Sequence, residues 1–174
     1  MAYISQLKYE NADDKTKKVI DEWVASHGPL TNMKETLIHS IPAFHALMEW
    51  FPLEEEIESF LGARAVNFFC YAISTENDCL VCGMFFKKIL DDEGISFAEF
   101  SFTEEEEILI DYGKAIVRDA NHVDPGIFDR LKKHWDEEQI VAITAFATIM
   151  IATNLINKTL QVELDEELKL YTHW

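Results

Sequence analysis

Two cysteines three residues apart, in the stretch Asp78-Cys79-Leu80-Val81-Cys82, carry the clearest chemical signal in the chain. In the first turn of a helix, side chains at i and i+3 share one face with their Cβ atoms about 5–6 Å apart. A modest adjustment brings such a pair to disulfide distance. The unpaired N–H groups and partial positive charge of a helix N-terminus stabilise a thiolate and lower its pKa. Proximity together with activation is what thiol–disulfide exchange requires. Two plainer readings compete. Free cysteine is among the most buried residue types, so the pair can be two small core hydrophobes. A zinc half-site is the other, but only Cys70 could add a third sulfur, and no second Cys-x-x-Cys exists.

Other chemistries find little support. The acidic runs Glu54-Glu55-Glu56 and Glu104 to Glu107 read as first-turn residues opposing the helix macrodipole, and neither has the histidine at i+3 or i+4 that a metal site would use. The histidines (His27, His39, His45, His122, His134 and His173) show no HxxxH or HExxH spacing. No phosphate-binding glycine loop or Gly-x-Ser-x-Gly elbow occurs. No metal and no cofactor are therefore expected. With 15 Lys and Arg against 32 Asp and Glu, the net charge is −17. Binding nucleic acid or an anionic membrane surface needs clustered cations, which such a chain lacks.

The elements that must hold the cysteines read as helical from end to end. Over 174 residues there are only 6 Gly and 4 Pro, too little punctuation for a sandwich or barrel. Val19, Ile20, Trp23 and Val24 form an apolar stripe in a helix over about 13–26 that His27-Gly28-Pro29 stops. Thr31 or Asn32 can cap a short helix through Ile38, and Pro42 sits well as the first residue of another running to about Phe51. Residues 53–74 read as one long helix, apolar nearly all round in its second half. Asp78 is the natural N-cap of a helix from Cys79 to about Asp91. Thr103 with Glu106 and Asp136 with Gln139 fit the capping box, the latter opening the apolar helix 140–157. Asp124-Pro125 opens a short helix between them. The fold class is all-α, one domain over 1–174 with an N-terminal helical extension over about 1–40. The start lacks a signal peptide's apolar core, the apolar run 140–156 is shorter than a membrane span, and three cysteines make no disulfide framework. A cytoplasmic protein with reduced thiols is expected.

The stretch from Arg64 through Phe69-Cys70-Tyr71 to Cys79-Leu80-Val81-Cys82 resembles the core of the carboxymuconolactone decarboxylase / AhpD-like superfamily, where a helix runs into a short polar turn and then a Cys-x-x-Cys helix. Phe102-Thr103-Glu104-Glu105-Glu106 is similar to that family's next helix start. His134-Trp135-Asp136 through the apolar helix to Asn154 and Asn157 is similar to its final core helix. The resemblance spans about residues 40–160. It implies an all-α fold assembled as a trimer or hexamer, with a thiol-dependent peroxidase or disulfide reductase site. It also implies a glutamate and a histidine serving as a proton relay, at the positions held here by Asn67 and Phe86. Neither residue is a titratable base. Glu76, three before Cys79, is the nearest carboxylate in sequence and the candidate substitute.

The favoured expectation is an alkylhydroperoxidase-like antioxidant enzyme or disulfide reductase cycling Cys79 and Cys82 between dithiol and disulfide. Its substrate would be a hydroperoxide or a partner protein's disulfide, and an unidentified thiol would reduce it. The dipole favours Cys79 as the attacking thiol, whereas the resemblance assigns that role to Cys82. A non-catalytic oligomeric scaffold or small-molecule binding protein of the same fold is the alternative, with Phe68, Phe69, Phe85 and Phe86 lining an apolar pocket. A lactone decarboxylase is a minor one. The apolar circumference of helix 140–156, added to that of the second half of helix 53–74, predicts a homo-oligomer.

Overall fold

The structure is a computed structural model that describes residues 2–95 and 101–172, so His173 lies outside the described residues. Among these residues there are α-helices and short 3-10 turns and no strand. The helices are α1 (Asp14–His27), α2 (Asn32–Leu37), α3 (Ile41–Met48), α4 (Trp50–Leu61), α5 (Ala63–Glu76), α6 (Leu80–Asp92), α7 (Glu104–Asp119), α8 (Pro125–His134) and α9 (Glu137–Leu160). Their starts follow local chemistry. Asp13, Thr31 and Ser40 accept backbone N–H bonds at the heads of α1, α2 and α3. Thr103–Glu106 and Asp136–Gln139 form complete capping boxes on α7 and α9.

Three expectations need correction. The single helix over 53–74 is two helices, broken at Gly62, whose φ of 82° and ψ of 148° leave the helical region. Gly62 N–H closes α4 on the Glu58 carbonyl, and its own carbonyl accepts from Val66 N–H to start α5. A residue without Cβ makes that corner at no steric cost. The helix expected to begin at Pro42 begins at Ile41 and ends at Met48, and α4 starts at Trp50 with only Glu49 between them. Glu54-Glu55-Glu56 therefore fall in the second turn of α4, away from the helix dipole's positive end. Third, Asp78 does not cap α6. It adopts a positive φ of 52°, and Cys79 takes the N-cap position.

Two apolar clusters fill the interior. The larger packs α5 against α7 and α9 through Val66, Phe69, Ile73, Leu109, Tyr112, Ile143 and Phe146. A close approach occurs at Gly113, where an added Cβ would meet Ile73 at 2.8 Å and Phe69 at 2.9 Å. Nine of the fourteen residues of α5 are buried, as its apolar circumference predicts. The smaller cluster joins the N-terminal helices through Ile20, Trp23, Leu37, Ile38 and Phe44. Trp23 stacks on His27 at 3.9 Å and takes Phe44 and Phe51 edge-on. Helix α9 is, by length and composition, able to cross a bilayer. Here Ile143, Phe146, Ala147 and Met150 bury it as a wall of the larger cluster.

Candidate active site

A tight reversal between α5 and α6 sets the two cysteines. Cys79 N–H donates to the Ser74 carbonyl at 2.9 Å, and Gly83 N–H donates to the Cys79 carbonyl at 2.8 Å. The left-handed Asp78 between them turns the chain, leaving Cys79 at the N-cap and Cys82 three residues into the helix. Lys158 of α9 fastens the turn by donating its Nζ to the Asn77 carbonyl at 2.7 Å. All three cysteines are free thiols. Cys79 is 3% exposed and Cys82 6%, so neither sulfur sits on the outer surface.

The electrostatics separate the pair. The Cys82 thiol, facing Cys79, donates toward it and brings Cys79 down to about 7 against the opposing effect of burial; Cys82 N–H, the Asn157 side chain and Lys158 add to the lowering. Cys82 moves the other way, because it holds the shared proton and is buried. One ionisation near neutral pH therefore belongs to the pair. Asn157 of α9 donates Nδ2–H to Cys82 Sγ at 3.2 Å, while its Oδ1 is buried without a partner. Cys70, fully buried in α5, has its thiol pushed up by burial first and by Glu54 and Glu58 next. It is an inert core residue.

Cys82 lines a cavity of about 180 Å³ lying between the two apolar clusters. Its walls are mainly Trp50, Phe51, Phe85, Phe86, Ile89 and Met150. Phe85 and Phe86 were anticipated there, but Phe68 and Phe69 were not placed so by the fold: they lie on other faces of α5, Phe69 against Phe146 and Phe68 against Phe102. Three charged residues also line the cavity: Lys34 from α2, Glu54 from α4 and Asp165 from the segment after α9. Burial raises the Glu54 carboxyl to about 8, helped by Glu58 and opposed by Lys34. Burial pushes the Lys34 ammonium down, and it raises the Asp165 carboxyl. Among the described residues no cluster of His, Cys, Asp and Glu could hold a metal ion.

No protein-family model matches the sequence, and no curated protein matches it. Solved structures do. An uncharacterized peroxidase-related protein of the alkylhydroperoxidase AhpD core from Ralstonia eutropha superposes with a TM-score of 0.69 at 16% identity, over 97% of this chain and 95% of that one. The chain has the AhpD-like fold. Debrominase Bmp8 in its apo form superposes with a TM-score of 0.75 at 18% identity, over 96% of this chain and 94% of that one. A cysteine-to-alanine variant of the same debrominase, in complex with 2,3,4-tribromopyrrole, gives 0.73 at 17% identity over 98% and 95%.

On this AhpD-like frame, the positions singled out in the sequence fall in different places. Cys79, Cys82 and Phe86 share the larger apolar cluster, and Cys82 and Phe86 also line the cavity. Asn67 points inward, 6% exposed, and its Nδ2 donates to Glu93 Oε1 at 3.4 Å. Glu76 is held in a two-pronged ion pair with Arg118, at 2.7 and 3.1 Å, which keeps its carboxyl below the usual range. That pairing suits a structural clasp between α5 and α7. Sequence reasoning missed Lys34, Glu54, Asp165 and the sulfur contact of Asn157. Only Asn157 carried a local signal, as one of two amides, with Asn154, in a mainly apolar helix.

Proposed function

We propose that the chain is a dithiol-dependent reductase for a small, largely apolar organic molecule that binds in the cavity beside Cys82. The carrying observation is the free Cys79–Cys82 pair at the head of α6, only one member of which lines an aromatic-walled cavity. Cys82 is the attacking sulfur because it meets the bound molecule, and its proton passes to the Cys79 thiolate as it attacks. With a hydroperoxide, the Cys82–oxygen bond forms as the O–O bond breaks, and the alkoxide takes a proton to leave as an alcohol. Cys79 then attacks the Cys82 sulfenic acid, the S–S bond forms, and water departs. A low-molecular-weight or protein dithiol restores the pair by exchange. A partner protein's disulfide is a poorer substrate, since both sulfurs are buried.

The aromatic walls favour a second substrate of the same type. The debrominase neighbours make an aryl halide a candidate. Cys82 would then take the halogen as the carbon takes a proton, and Cys79 would expel halide to close the disulfide. Both substrates accept two electrons from the same thiols. Assay of cumene hydroperoxide and of a brominated pyrrole, each with dithiothreitol, tests the reading. At least one should turn over, and Cys82→Ser should fall to the uncatalysed background. Turnover of neither, with a first thiol ionisation near the ordinary value of 9, would support a binding protein of the same fold instead.

The proposal extends to assembly and location. Val141 and Leu155 are 67% and 50% exposed, and with Thr148 between them they mark one outward stripe of α9 suited to a second copy of this chain. Three free thiols and a dithiol reductant fit a reducing compartment such as the cytoplasm.

A further inference from the structure

Each reaction above expels a strong base, an alkoxide or a carbanion, and the AhpD-like relay positions hold Asn67 and Phe86, which cannot supply its proton. The cavity itself contains a proton donor. Glu54 stands in its wall together with Cys82, so a molecule filling the space meets both groups. The residue is one turn of α4 beyond Trp50, on a helix whose Ile57 is sealed in the larger cluster, and this fixes the direction in which the carboxyl projects. Around it are Lys34 of α2, Asp165 after α9, Glu58 and Glu55 on its own helix, His27 at the end of α1, and Cys70 of α5, which feels its charge.

We propose that Glu54 is the general acid of this site, protonating the group that leaves when Cys82 attacks the molecule bound in the cavity. The inference rests on the reductase reading. A hydroperoxide meets these groups in order. The resting site holds a Cys79 thiolate, a Cys82 thiol and a protonated Glu54. Attack moves the Cys82 proton to Cys79, forms the S–O bond, and breaks the O–O bond. The alkoxide takes the Glu54 proton. Cys79 then displaces hydroxide from the sulfenic acid, and its own proton completes the water. The products are alcohol, water, a disulfide and a Glu54 carboxylate that regains its proton from solvent. Burial in the cavity wall keeps that carboxyl protonated at neutral pH, up to about 8. Glu58 reinforces this; Lys34 opposes it weakly, since its own charge is disfavoured by burial.

Two titrations then bound the activity. Turnover rises as Cys79 ionises near 7 and falls as Glu54 ionises near 8. The experiment compares the pH profiles of the parent, Glu54→Gln and Cys82→Ser with cumene hydroperoxide and dithiothreitol. Glu54→Gln should lose the alkaline limb and, because general acids contribute about 10²–10⁴-fold, lower turnover by at least about tenfold. A smaller loss, or an alkaline limb that persists, overturns the proposal. Turnover retained by Cys82→Ser overturns the reductase reading instead, which keeps the two failures distinct. Thermal stability supplies a readout free of activity. A carboxyl whose folded pKa is raised costs the folded state stability as pH climbs from its unfolded value toward about 8. Glu54→Gln should therefore melt higher than the parent at pH 8, with the gap closing at acid pH. No gap at pH 8 would mean the carboxyl is not held neutral, and the proposal fails.

Discussion

Helices α9 and α6 begin in opposite ways. At α9, Asp136 accepts from Gln139 N–H at 2.9 Å and Gln139 returns a bond to Asp136 N–H at 3.0 Å. α7 repeats the device with Thr103 and Glu106. In α6 the same two positions, N-cap and N3, are Cys79 and Cys82, and no side-chain cap bond forms. The spacing that elsewhere satisfies the helix end here sets two thiols against each other. The first turn's N–H groups and the Cys82 thiol favour charge on Cys79 sulfur rather than a neutral oxygen cap. A helix start without a hydroxyl or carboxylate cap leaves its first N–H groups facing an ionised sulfur instead.

That contrast can be broken at its most sensitive point by Cys79→Ser, which supplies an ordinary hydroxyl cap. Multiple turnover should disappear, because no second sulfur can resolve Cys82. A single turnover, slowed because no Cys79 thiolate remains to take the Cys82 proton, should leave a Cys82 sulfenic acid, visible by mass spectrometry as one added oxygen. The melting temperature should hold or rise, and a fall in stability would mean that Cys79 already caps the helix well. The next effect is on reactivity. Thiol alkylation should follow an apparent ionisation near pH 7, with the rate dropping about tenfold for each unit below it as the thiolate fraction falls. Asn157→Leu removes the donor to Cys82 and one of the groups lowering Cys79, so this midpoint should move up. An unmoved midpoint would assign the effect to the helix start, the thiol pair and Lys158. The smallest effect is at the closed ends. Asp136→Ala and Thr103→Ala should each cost about 1 kcal/mol in chemical denaturation and leave the thiol midpoint where it was.

Local patterns determined a large part of this protein. Caps at Asp13, Thr31, Ser40, Thr103, Asp124 and Asp136 are short-range hydrogen bonds to N–H groups two or three residues away, so residue type and spacing suffice to place them. The same holds for the cysteine pair, which takes the N-cap and N3 spacing of a capping box, and for the inward turn of Asn67. Tertiary structure decided the rest. Gly62 is compatible with helix or corner until α4 and α5 must pack on different neighbours. Asp78 reads as a cap until the reversal onto Ser74 demands a positive φ and moves that role to Cys79. Glu76 is near Cys79 in sequence, yet Arg118, 42 residues away, claims it. Asn157 reaches Cys82 across 75 residues, and Lys34, Glu54 and Asp165 meet around one cavity from three separate segments. Their ionisation is set by how much water each loses on burial, and desolvation is a property of the assembled cavity that no window of sequence contains.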